Sequence, residues 1–186
     1  MRKVMWVSAL LLCGLCGFAM AQTERSGATR TPGQVLEEWV ANIQQEVVPA
    51  AAMPEDKYAF APRNGKFAGV RTFAGQVKHL AAVNYQLGSR ALGEKPPAGT
   101  ADESAPESVK TKAEILEYLQ GSFACLHRAA ARLDATTVIE PLPGAQDTRQ
   151  QTRLGSLVDA LAHSSNHYGQ MVEYLRMNGI VPPASR

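Results

Sequence analysis

Leu36, Val40, Ile43 and Val47 recur three or four residues apart, and the same rhythm returns three times further along the chain. Phe73, Val77, Leu80, Asn84 and Leu87 make a second stripe. Ile115, Leu119, Phe123, Leu126, Ala130 and Leu133 make a third, and Leu154, Leu157, Leu161, Tyr168, Val172 and Leu175 a fourth. Residues at this spacing share one side of a helix, and an apolar side has to be buried against another element. Four long stripes therefore predict an all-α chain folded as a four-helix bundle. No period-2 alternation, internal repeat or sustained heptad seam competes with that reading.

The ends of the segments agree with their interiors. Thr31-Pro32-Gly33-Gln34 offers a capping hydroxyl, a proline for the first helical position and a glutamine for the third. Pro49 and Pro54 are expected to close helix one. Helix two runs from about Thr72 to Leu92 and stops at Gly93. Helix three opens on Thr111-Lys112-Ala113-Glu114, a capping box. Helix four runs from about Thr152 to Asn178, with Gly179 and then Pro182-Pro183 beyond it. The linker "PEDKYAFAPRNGKFAGVR" carries Tyr58, Phe60 and Phe67, expected to pin it to the bundle. The linker "EKPPAGTADESAPES" reads as solvated, Asp102 and Glu103 included. The tyrosines, Tyr58, Tyr85, Tyr118, Tyr168 and Tyr174, are expected at the edge of the core.

The first 21 residues have a different character. Arg2 and Lys3 precede an apolar run from Val4 to Phe18, followed by Ala19-Met20-Ala21. A basic start, a short apolar core and an A-x-A site describe a secretory signal peptide, cleaved after Ala21. The run is short for a bilayer span of about 20 residues. Leu12 and Leu15 precede Cys13 and Cys16 where a lipid-modified cysteine calls for a small residue. The mature protein is thus expected to be periplasmic or secreted, with no stable membrane span. Residues 22–31 read as a polar lead-in, and residues 32–186 as the bundle domain.

Removing the leader changes the chemistry that remains. Two of the 19 Lys and Arg lie in it, and the other 17 match the 17 Asp and Glu. A neutral mature chain gives no case for nucleic-acid binding. The C-x-x-C of Cys13 and Cys16 goes with the leader. Cys125 alone remains, expected as a small apolar residue on helix three rather than a disulfide partner.

Three histidines carry the functional question. His163 and His167 lie four residues apart on helix four, so both project from one side. That spacing permits two ligands on one ion, and equally permits two boundary side chains. Ser164-Ser165-Asn166 lies between them, so the H-E-x-x-H motif and its built-in base are absent. His79, on helix two, is a third candidate, because bundle metal sites draw ligands from facing helices. Three histidines would leave coordination positions open, the pattern of catalytic rather than closed structural sites. His127 has no partner at ligand spacing and reads as a boundary residue.

One histidine in helix two and H-x-x-x-H late in helix four resemble the DinB-like superfamily of metal-binding bundles. The run "HYGQMVEYLRMNGIVPP" is similar to that family's C-terminal segment. The resemblance implies an up-down-down-up bundle. It also implies a divalent metal, zinc or nickel, on His79, His163 and His167, and a homodimer. Gln170, a turn beyond His167, is a candidate to orient a ligand from outside. Characterised relatives include thiol-dependent transferases and an isomerase. The expected function is an exported metal-dependent hydrolase or transferase acting on a small molecule. Its alternative is a non-catalytic, metal-stabilised or stress-associated bundle.

Overall fold

The computed structural model describes residues 29–144 and 151–185. The proposed leader, with Cys13 and Cys16, and most of the lead-in lie outside the described residues. Four α-helices form: α1 (Pro32–Ala51), α2 (Phe73–Leu92), α3 (Lys112–Ala131) and α4 (Arg153–Met177). Among the described residues there is no strand, only an isolated antiparallel bridge between Pro141 and Thr152. The chain is an all-α four-helix bundle. No helix among the described residues is long and apolar enough to cross a membrane.

The local signals set most of the ends. Thr31 accepts from the Gln34 N–H at 3.2 Å, while the Gln34 side chain accepts from the Thr31 N–H at 2.9 Å. Thr111 and Glu114 make the same reciprocal pair at 3.3 and 2.8 Å. Each such box satisfies two N–H groups that a helix start leaves orphaned. Thr111→Ala is expected to lower stability by about 1 kcal/mol, the usual cost of losing a capping hydroxyl. Denaturant midpoints of the two proteins measure it. Pro49 does not end α1, contrary to the expectation from sequence. The helix carries on to Ala51, and the Pro49 carbonyl accepts from the Ala52 N–H at 3.2 Å. A proline this close to the end removes one helical hydrogen bond without interrupting a long ladder.

Paired contacts give the direction of each helix. Tyr85 meets Tyr118 at 5.0 Å between ring centroids, Ser89 lies 3.8 Å from Cys125, and Glu94 pairs with Arg128 at 3.0 Å. Numbers rise together, so α2 and α3 are parallel. Gln76, Leu87 and Ala91 of α2 meet His167, Ser156 and Arg153 of α4, so these two are antiparallel. Gly33 abuts the Ala130 and Leu133 carbonyls, where a Cβ would stand 2.7 Å from each oxygen. His127 of α3 bridges to Glu37 and Gln44 of α1 at 2.7 and 2.6 Å. Lys112, at the start of α3, donates to the Ala52 carbonyl just past α1. So α1 and α3 are antiparallel, and the bundle runs up-down-down-up. Because α2 and α3 are parallel, the segment between them, residues 93–111, must travel back along the bundle. It is tied down by Lys78 on the Val109 carbonyl and Gln86 on the Thr100 carbonyl.

Phe73, Leu80, Leu119, Phe123, Leu126, Leu157, Met171 and Leu175 are fully buried at the centre. Each contributes about 1.5–3 kcal/mol by leaving water. Cys125 is buried among them as a small apolar side chain. The tyrosines are buried or half-buried, as expected. Tyr58 and Phe60 do pin their linker, with rings edge-on to Phe73 and Tyr174, but Phe67 stays exposed. Helix α4 departs from its predicted register. Its core side is Leu157, Ala160, Ser164, His167, Met171 and Tyr174, whereas Leu154, Leu161, Tyr168 and Val172 are only half-buried. The helix is turned so that Ser156, Ser164 and His167 meet α2, while Leu157 and Leu175 stay fully buried in the core.

Candidate metal centre

The turn of α4 places His163 and His167 opposite His79. The Nε2 atoms of His79 and His163 stand 3.2 Å apart. Ring centroids are separated by 5.1 Å for His79 and His163, 4.8 Å for His79 and His167, and 4.4 Å for His163 and His167. One ligand atom from each ring lies within 4.8 Å of the others, a grouping that could hold a metal ion. His79 and His167 are buried and His163 is half-buried. His127 is elsewhere, between α1 and α3, and does not join them.

Hydrogen bonds determine which nitrogens face inward. His79 Nδ1 lies 2.9 Å from the Glu103 carbonyl oxygen. A carbonyl only accepts, so the proton sits on Nδ1 and the Nε2 of the neutral ring is a bare lone pair. His167 Nδ1 likewise donates to Gln76 Oε1 at 2.8 Å. The Gln76 amide is oriented in turn by donating to Gln170 Oε1 at 2.7 Å, and Gln170 donates to Asn166 at 2.6 Å. Gln170 therefore acts on His167 one step removed, through Gln76.

The electrostatics favour neutral rings. Burial, reinforced by the neighbouring His79, pushes the His163 pKa down to about 4. Burial, with His163 and His79 adding to it, pushes His167 down to about 3. Both are deprotonated at neutral pH, the state a metal ligand requires. His163 Nδ1 is buried with no hydrogen-bond partner, an arrangement that costs free energy in a closed protein interior. Three converging imidazoles, two with the outer atom tied off and one with an orphan, fit a divalent cation. Two nitrogens bound at 2.0–2.1 Å to one ion stand about 3 Å apart, close to the His79–His163 separation.

A cleft of about 720 Å³ opens beside the cluster, with His163, Val83, Gln86, Leu87, Glu103 and Asp159 on its walls. Its size is that of a small-molecule site. Sequence reasoning missed two residues of this region. Gln76 lies three positions before His79 and was visible as its neighbour on the helix. Glu103 read only as a solvated acid. Gln76→Leu is expected to weaken metal binding by about tenfold or more, the usual range for losing a ligand's outer partner. Gln170→Leu should weaken it less, because it touches no ligand directly. Chelator competition on both variants checks the order.

Facing helices of this bundle bring three imidazoles together beside an open cleft, an arrangement that could hold a metal ion. The family model described as the DinB superfamily matches residues 27–171, a span that includes all three histidines. The chain belongs to the DinB superfamily. No curated protein matches it.

Proposed function

We propose that this protein is an exported metal-dependent enzyme, a hydrolase or transferase, with a divalent zinc or nickel ion held by His79, His163 and His167. The observation that carries the reading is the position of His163, shared between the donor cluster and the cleft. When bound, the ion supplies Lewis acidity, polarising a carbonyl or lowering the pKa of a water or thiol. The chain's own residues do the rest. Glu103 and Gln76 hold the outer nitrogens of His79 and His167. Val83 and Leu87 give the cleft an apolar wall that excludes water, and Gln86 and Asp159 supply polar contacts for a small substrate. Hydrolysis takes precedence over thiol transfer, because export separates the protein from the cytoplasmic thiol pool. The homodimer belongs to this reading too, resting on family resemblance.

A second reading has its own support. The three imidazoles join α2 to α4, so an ion there would also tie the bundle together as a non-catalytic staple. The test is direct. The mature protein, purified without an affinity tag, is assayed for bound metal and screened with ester, amide and thiol-transfer substrates. Turnover that disappears in His79→Ala while the fold persists supports the enzyme. Metal-dependent melting without turnover supports the staple. A protein that takes up no divalent metal under any loading condition refutes both. Export is tested separately, by the N-terminal sequence of the protein recovered from the periplasm or medium.

A further inference from the structure

Among the described residues Glu103 is the one non-glycine residue with a positive φ, 57°. Left-handed backbone is sterically disfavoured for a residue with a Cβ, and such residues persist only where the surroundings hold them. Here they do. The Glu103 N–H donates to the Thr100 carbonyl at 3.0 Å. Thr100 is 1% exposed and donates its hydroxyl to the Pro97 carbonyl at 2.9 Å. Gln86 of α2 donates to the Thr100 carbonyl as well. Gly99, itself at φ 83°, lets the turn lie against Pro106, where a Cβ would come within 2.9 Å of the Pro106 Cα. The product of this turn is specific. The Glu103 carbonyl oxygen stands 2.9 Å from His79 Nδ1, and its carboxylate reaches 3.7 Å from the same nitrogen.

We propose that Glu103 is a positioning residue for the three-histidine centre, its left-handed backbone aiming the carbonyl at His79 and so fixing which ring nitrogen faces the other two histidines. The carbonyl, an obligate acceptor, holds the proton on Nδ1. Nε2 is then left as the donor atom that meets His163 at 3.2 Å. If the carbonyl turned away, only the more distant Glu103 carboxylate would favour the proton on Nδ1, and the inward nitrogen would lose its lone pair in part of the population. The requirement is conformational, since any residue content in left-handed backbone presents the same carbonyl. The 3.7 Å separation is too long for a hydrogen bond, which assigns the carboxylate the lesser part.

The metal arm of the test rests on the proposed metal-binding function, and the tautomer arm does not. Glu103→Gly and Glu103→Asn accept positive φ, whereas β-branched Glu103→Val does not. The ring-nitrogen chemical shifts of His79 are read by NMR in the metal-free, ¹⁵N-labelled proteins. Zinc affinity is read by chelator competition, and melting curves establish that each variant is folded. Wild type, Glu103→Gly and Glu103→Asn should show the Nδ1–H form and equal zinc affinity. Glu103→Val should show a mixture of tautomers and about tenfold weaker zinc binding, the lower end for a lost outer partner. Gln86→Ala, which releases the Thr100 anchor and leaves Glu103 intact, should shift the tautomer in the same sense and replaces Glu103→Val if that variant does not fold. An unchanged His79 tautomer in both Glu103→Val and Gln86→Ala overturns the proposal. So does a Glu103→Gly protein that loses zinc as Glu103→Val does, because the carboxylate would then be the working group. A wild-type protein that takes up no zinc refutes the metal reading alone, and the His79 tautomer still decides the role of Glu103.

Discussion

His163→Ala is expected to bind divalent metal far more weakly than wild type, by more than the roughly 10–100-fold that losing an outer partner costs. The substitution removes a donor atom itself. It leaves His79 and His167 as a two-nitrogen site with no carboxylate ligand among the cluster to replace the third. Without metal the same change should do little harm. His163 is half-buried, and its Nδ1 has no hydrogen-bond partner to lose. Its Nε2 contact is with His79, whose Nδ1 remains anchored to the Glu103 carbonyl. The two measurements therefore separate. In chelator, wild type and variant should melt within a few degrees of each other. With metal at a hundred times its dissociation constant, wild type gains about 2.7 kcal/mol by mass action, and the variant gains almost nothing. Equal metal-induced stabilisation of both proteins would remove His163 from the ligand set. A large loss of stability in chelator would instead make it a structural residue.

The parts of this molecule that were legible in sequence are those governed by neighbours along the chain. The capping boxes at Thr31 and Thr111 depend on residues three apart, and both formed as expected. The stripes of α1, α2 and α3 reached the core because apolar residues there have no competing task. Helix α4 does. Its period was right and its Leu157 and Leu175 are fully buried, but Leu154, Leu161, Tyr168 and Val172 are only half-buried, because Ser164 and His167 take positions that a purely structural helix would fill with leucine. Ser164 is fully buried and donates to Asn84, another polar residue at the α2–α4 interface. A hydrophobic pattern misleads most where a helix turns a polar surface inward for a purpose. The site divides in the same way. His163 and His167 announced themselves by spacing, and His79 by lying on a helix that could face them. Glu103 gave no local sign. Its part depends on a parallel pair of helices forcing a long return segment past His79, and on a turn held by Gln86 from outside the segment. That information is in the tertiary fold, and no window of sequence around Glu103 contains it.

The depressed histidines should make the metal-free protein acid-sensitive in a window of its own. His163 and His167 fall from 6.5 to about 4 and about 3 in the folded chain. Between those values and 6.5, the unfolded chain holds protons that the folded chain does not. Stability then rises with pH, being complete above about 6.5 and lost as pH falls toward the folded values. Near pH 5 unfolding should take up about two protons at these rings, each contributing about 1.4 kcal/mol per pH unit to the slope. Solvent contact at the half-buried His163 trims its share. Two carboxylates with lowered pKa values lie outside the window. Asp134, held at about 2 by hydrogen bonds from Thr136 and Thr137, and Glu114, lowered by the Thr111 and Lys110 N–H groups, give up their contributions only at lower pH. Denaturant titrations in chelator from pH 7.5 to 5 should therefore show a steep fall below 6.5 in wild type. They should show a shallow one in the double variant His163→Leu/His167→Leu, which removes both titrating rings. Parallel slopes in the two proteins would mean that the rings are protonated in the folded state. They would then titrate near the unfolded value of 6.5, and protons would compete with metal for the rings mainly below that pH.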